Sequence, residues 1–316
     1  MRRYFFCVCA IVLILCSCSS DKNCPMMDIV RVDSLVYGSN EGIETLRKAA
    51  PMFFPSGYDE VFLYSERNDS LMCEAYGEVD SLYDNKIIDS IRRECARIVH
   101  RARLYFKNFK KPVLYTYMSH WDYTVPVIYM MEKEALVVCL DLFLGKGNEL
   151  YNGMYDYIKN SMERKNIGSA VAQELSMCCV GEREGYRLID YMVYYGKILY
   201  IKSLLMGVDM ENVVLDYTRD EYEVVSDIEE EIWDYYVRNG MLFKSSREYE
   251  HRFFNLAPYS VFYTPQDKNI PWGVGRYIGY RMVKNYMKRN ARCSIDTLIS
   301  LNADDILRHS GYNPHL

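Results

Sequence analysis

Histidine is scarce in this chain: there are five in 316 residues, and none between His120 and His251. Two His four residues apart around a Glu would place two imidazoles on one helical face for zinc, and no such pair occurs. Eleven cysteines are present, but no C-x-x-C pair, which argues against a zinc ribbon and against a disulfide scaffold. G-x-G-x-x-G and the Lys-Ser/Thr of a P-loop are both missing, so Gly145-x-Gly147 is not a nucleotide loop. There is no G-x-S-x-G elbow, which leaves Ser119 beside His120 without a nucleophile's setting. Basic excess is lacking as well. The formal charge is −5, which argues against nucleic acid as a partner.

What is present begins at the N-terminus. Arg2 and Arg3 precede an apolar run from Tyr4 to Leu15, too short to span a bilayer and the right length for a signal-peptide core. It ends in Leu15-Cys16-Ser17-Cys18, which resembles a bacterial lipobox with Cys18 as the residue acylated after cleavage. Residues 1–17 are then a leader, 18–27 a tether and 28–316 a single domain. Losing the leader removes Arg2 and Arg3 and takes the charge from −5 to −7. No second run of spanning length follows, so the remainder is expected to be soluble and tethered to the membrane through the acyl chains on Cys18. Hydrophobic residues at 50% and charged residues at 26% describe a folded globular chain. Thirty tyrosines suit half-buried positions with one wet end.

Along the chain, Val30 to Ser39 reads as a strand or loop, Ile43 to Phe54 as a short helix and Val61 to Tyr64 as a short strand. Asn85 to Phe109 is a helix whose inner face carries Ile87, Ile91, Cys95, Ile98, Ala102, Tyr105 and Phe109, with an arginine-rich outer face. Strands follow at Val113–Met118, Val127–Met131 and Ala135–Leu142, the last two forming an antiparallel hairpin through Glu132-Lys133-Glu134. Asn166 to Leu205 reads as two helices around a Gly-containing turn, the second starting near Gly185. Thr218 and Glu221 form a capping box opening a helix to about Val237, with Glu229-Glu230-Glu231 largely outward. Short helices follow near 247–254 and 302–309. Between them lie a Pro-rich loop, Ala257 to Pro271, and a helix from Trp272 to Met287, where Gly275 and Gly279 allow another backbone to pack closely.

Three blocks carry a resemblance: Leu140-Asp141-Leu142-Phe143-Leu144-Gly145, the run Ile189 to Tyr200, and Gly273-Val274-Gly275-Arg276-Tyr277-Ile278-Gly279-Tyr280-Arg281-Met282-Val283. With Tyr115–Ser119 and Tyr123–Tyr129, they resemble the GldB-type gliding-motility lipoproteins over nearly all of the chain beyond the leader. That family is in turn distantly similar to predicted zinc peptidases with an H-E-x-x-H helix and a later Glu. The resemblance implies an α+β, mostly helical, zincin-like fold with a small mixed or antiparallel sheet. In its register Gln173 and Met177 stand where the two His would be, Glu174 is the base position, and Tyr195 holds the third ligand position beside Gly196. Amide, thioether and phenol are poor zinc ligands.

No catalytic residue, metal or cofactor is therefore expected. The expected role is a non-enzymatic, lipid-anchored envelope component binding another envelope protein, in the outer membrane of a Gram-negative cell. The rival is a hydrolase with relocated catalytic residues. Gln173, Glu174, Met177 and Tyr195 are candidates for a relict or binding site. Lys197 joins them either as a partner of Glu174 or as a solvated lysine, and His120 through the possibility of acid–base chemistry with Asp122.

Overall fold

The computed structural model describes residues 24–315; the leader, Cys18 and the tether as far as Asn23 lie outside them. The described residues form two compact units that divide in sequence between Leu144 and Gly145. The fold is α+β, mostly helical with one four-stranded mixed sheet.

The first unit runs β1 (Ile29–Arg31), α1 (Val32–Tyr37), α2 (Ile43–Ala49), α3 (Glu60–Arg67), α4 (Ser70–Leu82), α5 (Asn85–Tyr105), β2 (Val113–Tyr117), β3 (Val127–Met130) and β4 (Ala135–Cys139). The sheet order is β1-β2-β4-β3. β2 pairs in parallel with both β1 and β4, while β3 returns antiparallel on β4, Val127 opposite Val138 and Met130 opposite Ala135. Every β4 residue is buried, as a strand covered on both faces requires. The expected hairpin is there.

Helix α5 starts where Asp84 accepts the Ile87 N–H, an N-cap that satisfies one orphan donor. Its buried stripe begins at Ile88 instead of Ile87 and continues through Ile91, Cys95, Ile98 and Ala102. The helix ends at Tyr105, which is exposed; Phe109 still reaches the core from the following turn, stacking on Tyr129 with ring centroids 5.2 Å apart. Two strand expectations are corrected. Val61–Tyr64 lies inside α3, because Asp59 accepts the Val61 and Phe62 N–H groups and so fixes a helix start. Only Leu63 of that run is buried, so its apolar residues face no sheet. Residues 140–142 form a 3-10 turn instead of extending β4, since Asp141 turns inward to hold a loop. Residues 30–39 divide between the end of β1 and α1, and α2 stops at Ala49, ahead of Pro51.

The second unit contains α6 (Asp156–Lys159), α7 (Ile167–Val180), α8 (Leu188–Met206), α9 (Glu211–Val214), α10 (Arg219–Asp227), α11 (Glu229–Arg238), α12 (Glu248–Phe253), α13 (Val274–Arg289), α14 (Ile295–Ser300) and α15 (Ala303–Ser310). Helix α8 is its axis. Fifteen of its 19 residues are buried, the mark of a helix surrounded by others. Helix α13 crosses it at glycines: a Cβ on Gly279 would sit 1.9 Å from the Met192 carbonyl oxygen, and one on Gly196 would sit 2.3 Å from that of Gly279. A Cβ on Gly275 would meet the Phe254 ring at 2.5 Å. The close approach expected at Gly275 and Gly279 is real.

The Thr218–Glu221 capping box is formed, but the helix it opens breaks at Ile228 into α10 and α11. Glu229 comes directly after the break. Expected outward, it is buried and accepts hydrogen bonds from the Tyr277 hydroxyl at 2.6 Å and the Tyr312 hydroxyl at 2.8 Å. Even on a continuous helix it would share the inner face with Val225, Ile232 and Tyr236, whereas Glu230 and Glu231 remain exposed.

Gly279→Ala should destabilise the protein by roughly 3 kcal/mol, the upper end for overpacking, because its new methyl meets backbone that no side-chain rotation relieves. Gly77→Ala is the control. Gly77 lies in α4 with open space around its Cβ position, so alanine there should stabilise by about 0.5–1 kcal/mol. Urea denaturation of both variants checks the pair.

Candidate functional site

In the second unit, α7 and α8 carry most of the sequence-derived candidates. Gln173 and Glu174 are partly buried on α7, and Met177 is 39% exposed. The Cys178 thiol lies 3.7 Å from Glu174 Oε1. Burial, with Glu174 adding to it, pushes that thiol up to about 11, so it is not a thiolate near neutral pH.

Tyr195 is buried and donates its hydroxyl to Glu250 Oε1 at 3.0 Å. Burial is the main reason its phenol is pushed up to about 12. Its ring stacks on Phe254 with centroids 5.2 Å apart, and the Arg276 guanidinium lies over it at 4.5 Å. The same guanidinium sits 5.3 Å from the Trp272 ring, and its buried Nε has no hydrogen-bond partner among the described residues. Glu250 also faces Arg183 at 3.7 Å, and Arg183 covers the Tyr191 ring at 3.7 Å. The arrangement is an aromatic shelf with two guanidiniums and one carboxylate. Cation–π contacts of this kind contribute about 0.5–2 kcal/mol each.

Lys197 is on the other side of α8, and neither alternative for it holds. It is 7% exposed, and its ammonium donates to the carbonyls of Ile299 at 2.8 Å and Leu301 at 2.6 Å. It therefore caps the C-terminal end of α14, where helix carbonyls lack partners. Helical geometry explains the separation from Tyr195: positions two apart point about 200° apart around the axis.

One turn further on, Lys202 is fully buried with its ammonium 2.5 Å from Asp216 Oδ2, while Ser169 donates to the other oxygen at 2.5 Å. Asp216 has a left-handed backbone, φ +57, a strained setting for a non-glycine residue. This Ser–Asp–Lys link joins α7 to α8, and the sequence gives no hint of it beyond a lysine in an apolar helix.

His120 belongs to the first unit. Its Nε2 lies 3.3 Å from Glu66 Oε2, which also accepts the Tyr37 hydroxyl at 2.6 Å. Asp122, the partner expected for it, instead accepts from Thr124. His120 and Trp121 both have positive φ, +57 and +59. They are held there by buried Asp141, whose oxygens accept from the Ser119 N–H at 2.9 Å, the Ser119 hydroxyl at 2.9 Å and the Trp121 N–H at 3.1 Å. Burial pushes the Asp141 carboxyl upward against those bonds. The adjoining cavity, lined by Asp33, Tyr37, Tyr58, Glu66 and Tyr117, holds about 30 Å³, room for roughly one water. Ser119 is engaged with Asp141 and not with His120, so no nucleophile–base pair forms here.

Among the described residues no cluster of three or more His, Cys, Asp or Glu is placed to hold a metal ion. The residues that sequence reasoning missed are Arg183, Glu250 and Arg276. Arg276 lies within the Gly273–Val283 block, but only the fold shows it facing Tyr195 instead of an acid.

Burial pushes the Lys197 ammonium down to about 8, against about 10.4 for an unfolded lysine. Between those values the unfolded chain holds more protons than the folded one. The stability this group contributes should therefore be flat below pH 8 and rise from pH 8 to about 10. The stability difference between the natural chain and Lys197→Met, measured by denaturant titration across that range, should grow with pH. A difference that stays constant would contradict the buried, capping ammonium.

A family model described as gliding motility protein GldB matches residues 19–314. No curated protein and no solved structure matches the chain. The match takes in both units with the Leu140–Gly145, Ile189–Tyr200 and Gly273–Val283 blocks, and the chain belongs to the family of gliding motility protein GldB.

Proposed function

We propose that this gliding-motility family member is a non-catalytic cell-envelope lipoprotein, anchored by acylated Cys18 and binding an envelope protein through the second unit. The carrying observation is the occupation of Tyr195. At the third ligand position of the resembling peptidases stands a phenol already bonded to Glu250, with its ring under Arg276. The position is taken up by an aromatic–guanidinium shelf, and Glu174, at the base position of the resemblance, has a protonated thiol for a neighbour. Cys18 supplies the membrane partner: two or three acyl chains hold a protein stably on a bilayer. Among the described residues no helix is long and apolar enough to cross a membrane. The outer membrane of a Gram-negative cell is the location we assign.

Two measurements test this. Metal analysis of the purified full chain should find far less than one zinc per molecule. Stoichiometric zinc that disappears in Glu174→Ala would overturn the non-catalytic reading. In cells, Cys18→Ala should abolish membrane association, and Arg276→Gln should weaken function while Glu174→Gln leaves it intact. The reverse pattern for those last two would favour a hydrolase.

A further inference from the structure

We propose that the outer stripe of α5, formed by Lys86, Arg93, Arg97 and Leu104, rests on an anionic lipid surface. The proposal rests on the reading of Cys18 as the acylated residue, and it adds which face of the first unit meets the bilayer.

Three observations carry it. First, Lys86, Arg93, Arg97 and Leu104 are spaced by seven, four and seven residues along α5, which keeps them within about 40° of one another around the helix. All four are exposed, Leu104 at 60%. Of the acids of this helix, Asp89 pairs with Arg92 at 2.8 Å, outside the stripe, and Glu94 is the one that faces a stripe cation, Arg97.

Second, the chain enters the described structure lying on this same helix. The Cys24 thiol is 3.2 Å from the Ala96 carbonyl, Met26 Sδ is 3.8 Å from an Arg93 nitrogen, and Arg92 donates to the Met27 carbonyl at 2.9 Å. Pro25 and Met26 beside it are exposed.

Third, the covalent reach is short. Cys24 is six residues from Cys18, and a fully extended chain spans at most about 3.3–3.6 Å per residue. The acyl chains are therefore within about 20 Å of the middle of α5. Lys86 and Leu104 lie about 15 and 12 Å along the helix from Ala96 at a 1.5 Å rise per residue, inside the same radius. An anchor so close brings a cationic stripe with an apolar end against headgroups. Each cation near an anionic surface adds about a fivefold preference, so three contribute roughly a hundredfold.

The test uses the full acylated chain in vesicles, with Leu104→Trp as the probe and the natural chain, with its three tryptophans, as the background. In vesicles of phosphatidylglycerol and brominated phosphatidylcholine, Leu104→Trp should add fluorescence that is blue-shifted and quenched by bromine. Combining it with Lys86→Gln, Arg93→Gln and Arg97→Gln, or replacing phosphatidylglycerol with phosphatidylcholine, should remove that quenching. The mass of the purified chain reports acylation separately. An acylated chain whose added tryptophan stays unquenched sinks the lipid-facing stripe and leaves the anchor. An unacylated chain that binds the anionic vesicles with the tryptophan quenched sinks the anchor and leaves the stripe. An unacylated chain that does not bind sinks both.

Discussion

The backbone contact between α8 and α13 at Gly196 and Gly279 governs the second unit. Neither glycine has room for a methyl group, so the two helices meet main chain to main chain along the line through Met192 and Val283. The contact also fixes the rotation of α8. With Gly196 facing α13, the residues on either side of it are sent apart: Tyr195 towards Phe254 and Arg276, and Lys197 towards the end of α14. In the resembling peptidases the position before this glycine is a metal ligand. Here the glycine has a sufficient reason in packing, and its presence says nothing about a metal.

Around that crossing, buried and half-buried polar groups tie the neighbouring elements together. Lys202 and Ser169 both hold Asp216, Glu229 ties α11 to α13 and Tyr312, and Arg187 pairs with Asp190 at 2.7 Å and Asp304 at 2.8 Å. Removing Asp216 would leave the fully buried Lys202 ammonium uncompensated, which costs more than the pair's net contribution. These contacts therefore serve to exclude alternative arrangements more than to add stability. The Asp141 loop in the first unit works the same way. One buried carboxylate accepts three hydrogen bonds and holds two residues in left-handed conformations that each cost about 1–2 kcal/mol.

What could be read from the sequence follows from this. The periodic stripe of α5, the β3–β4 hairpin, the Thr218 capping box and the glycines of α13 were legible, because each is a local pattern with one physical meaning. Val61–Tyr64 was misread because an apolar run of four cannot distinguish a strand from an exposed helix turn, and the deciding group, Asp59, lies outside it. Glu229 was misread because three consecutive glutamates look like a solvated face; its partners, Tyr277 and Tyr312, are 48 and 83 residues away. Lys197 failed for the same reason, its carbonyls being more than a hundred residues downstream. The site was legible only in its chemistry. Phenol at 195 and amide at 173 could be seen to suit a cation poorly, but the guanidiniums above the rings come from Arg183 and Arg276, which no local pattern marks.

The composition of that shelf bears on what it does. A hydrolytic site concentrates a nucleophile, a base and a group that stabilises developing negative charge. Around Tyr195 the third of these is present in Arg276, while the first two are compromised. The Cys178 thiol beside Glu174 is held protonated by burial and by that carboxylate, so it offers no thiolate near neutral pH. The phenols are pushed upward too, Tyr195 to about 12 and Tyr194 in the same direction, both chiefly by burial. Proton transfer near neutral pH needs a group that titrates there, and these do not. What the shelf offers without titration is a fixed positive charge framed by rings. The guanidiniums that supply it already face buried rings and Glu250, so the shelf ties α8, α12 and α13 together within the second unit.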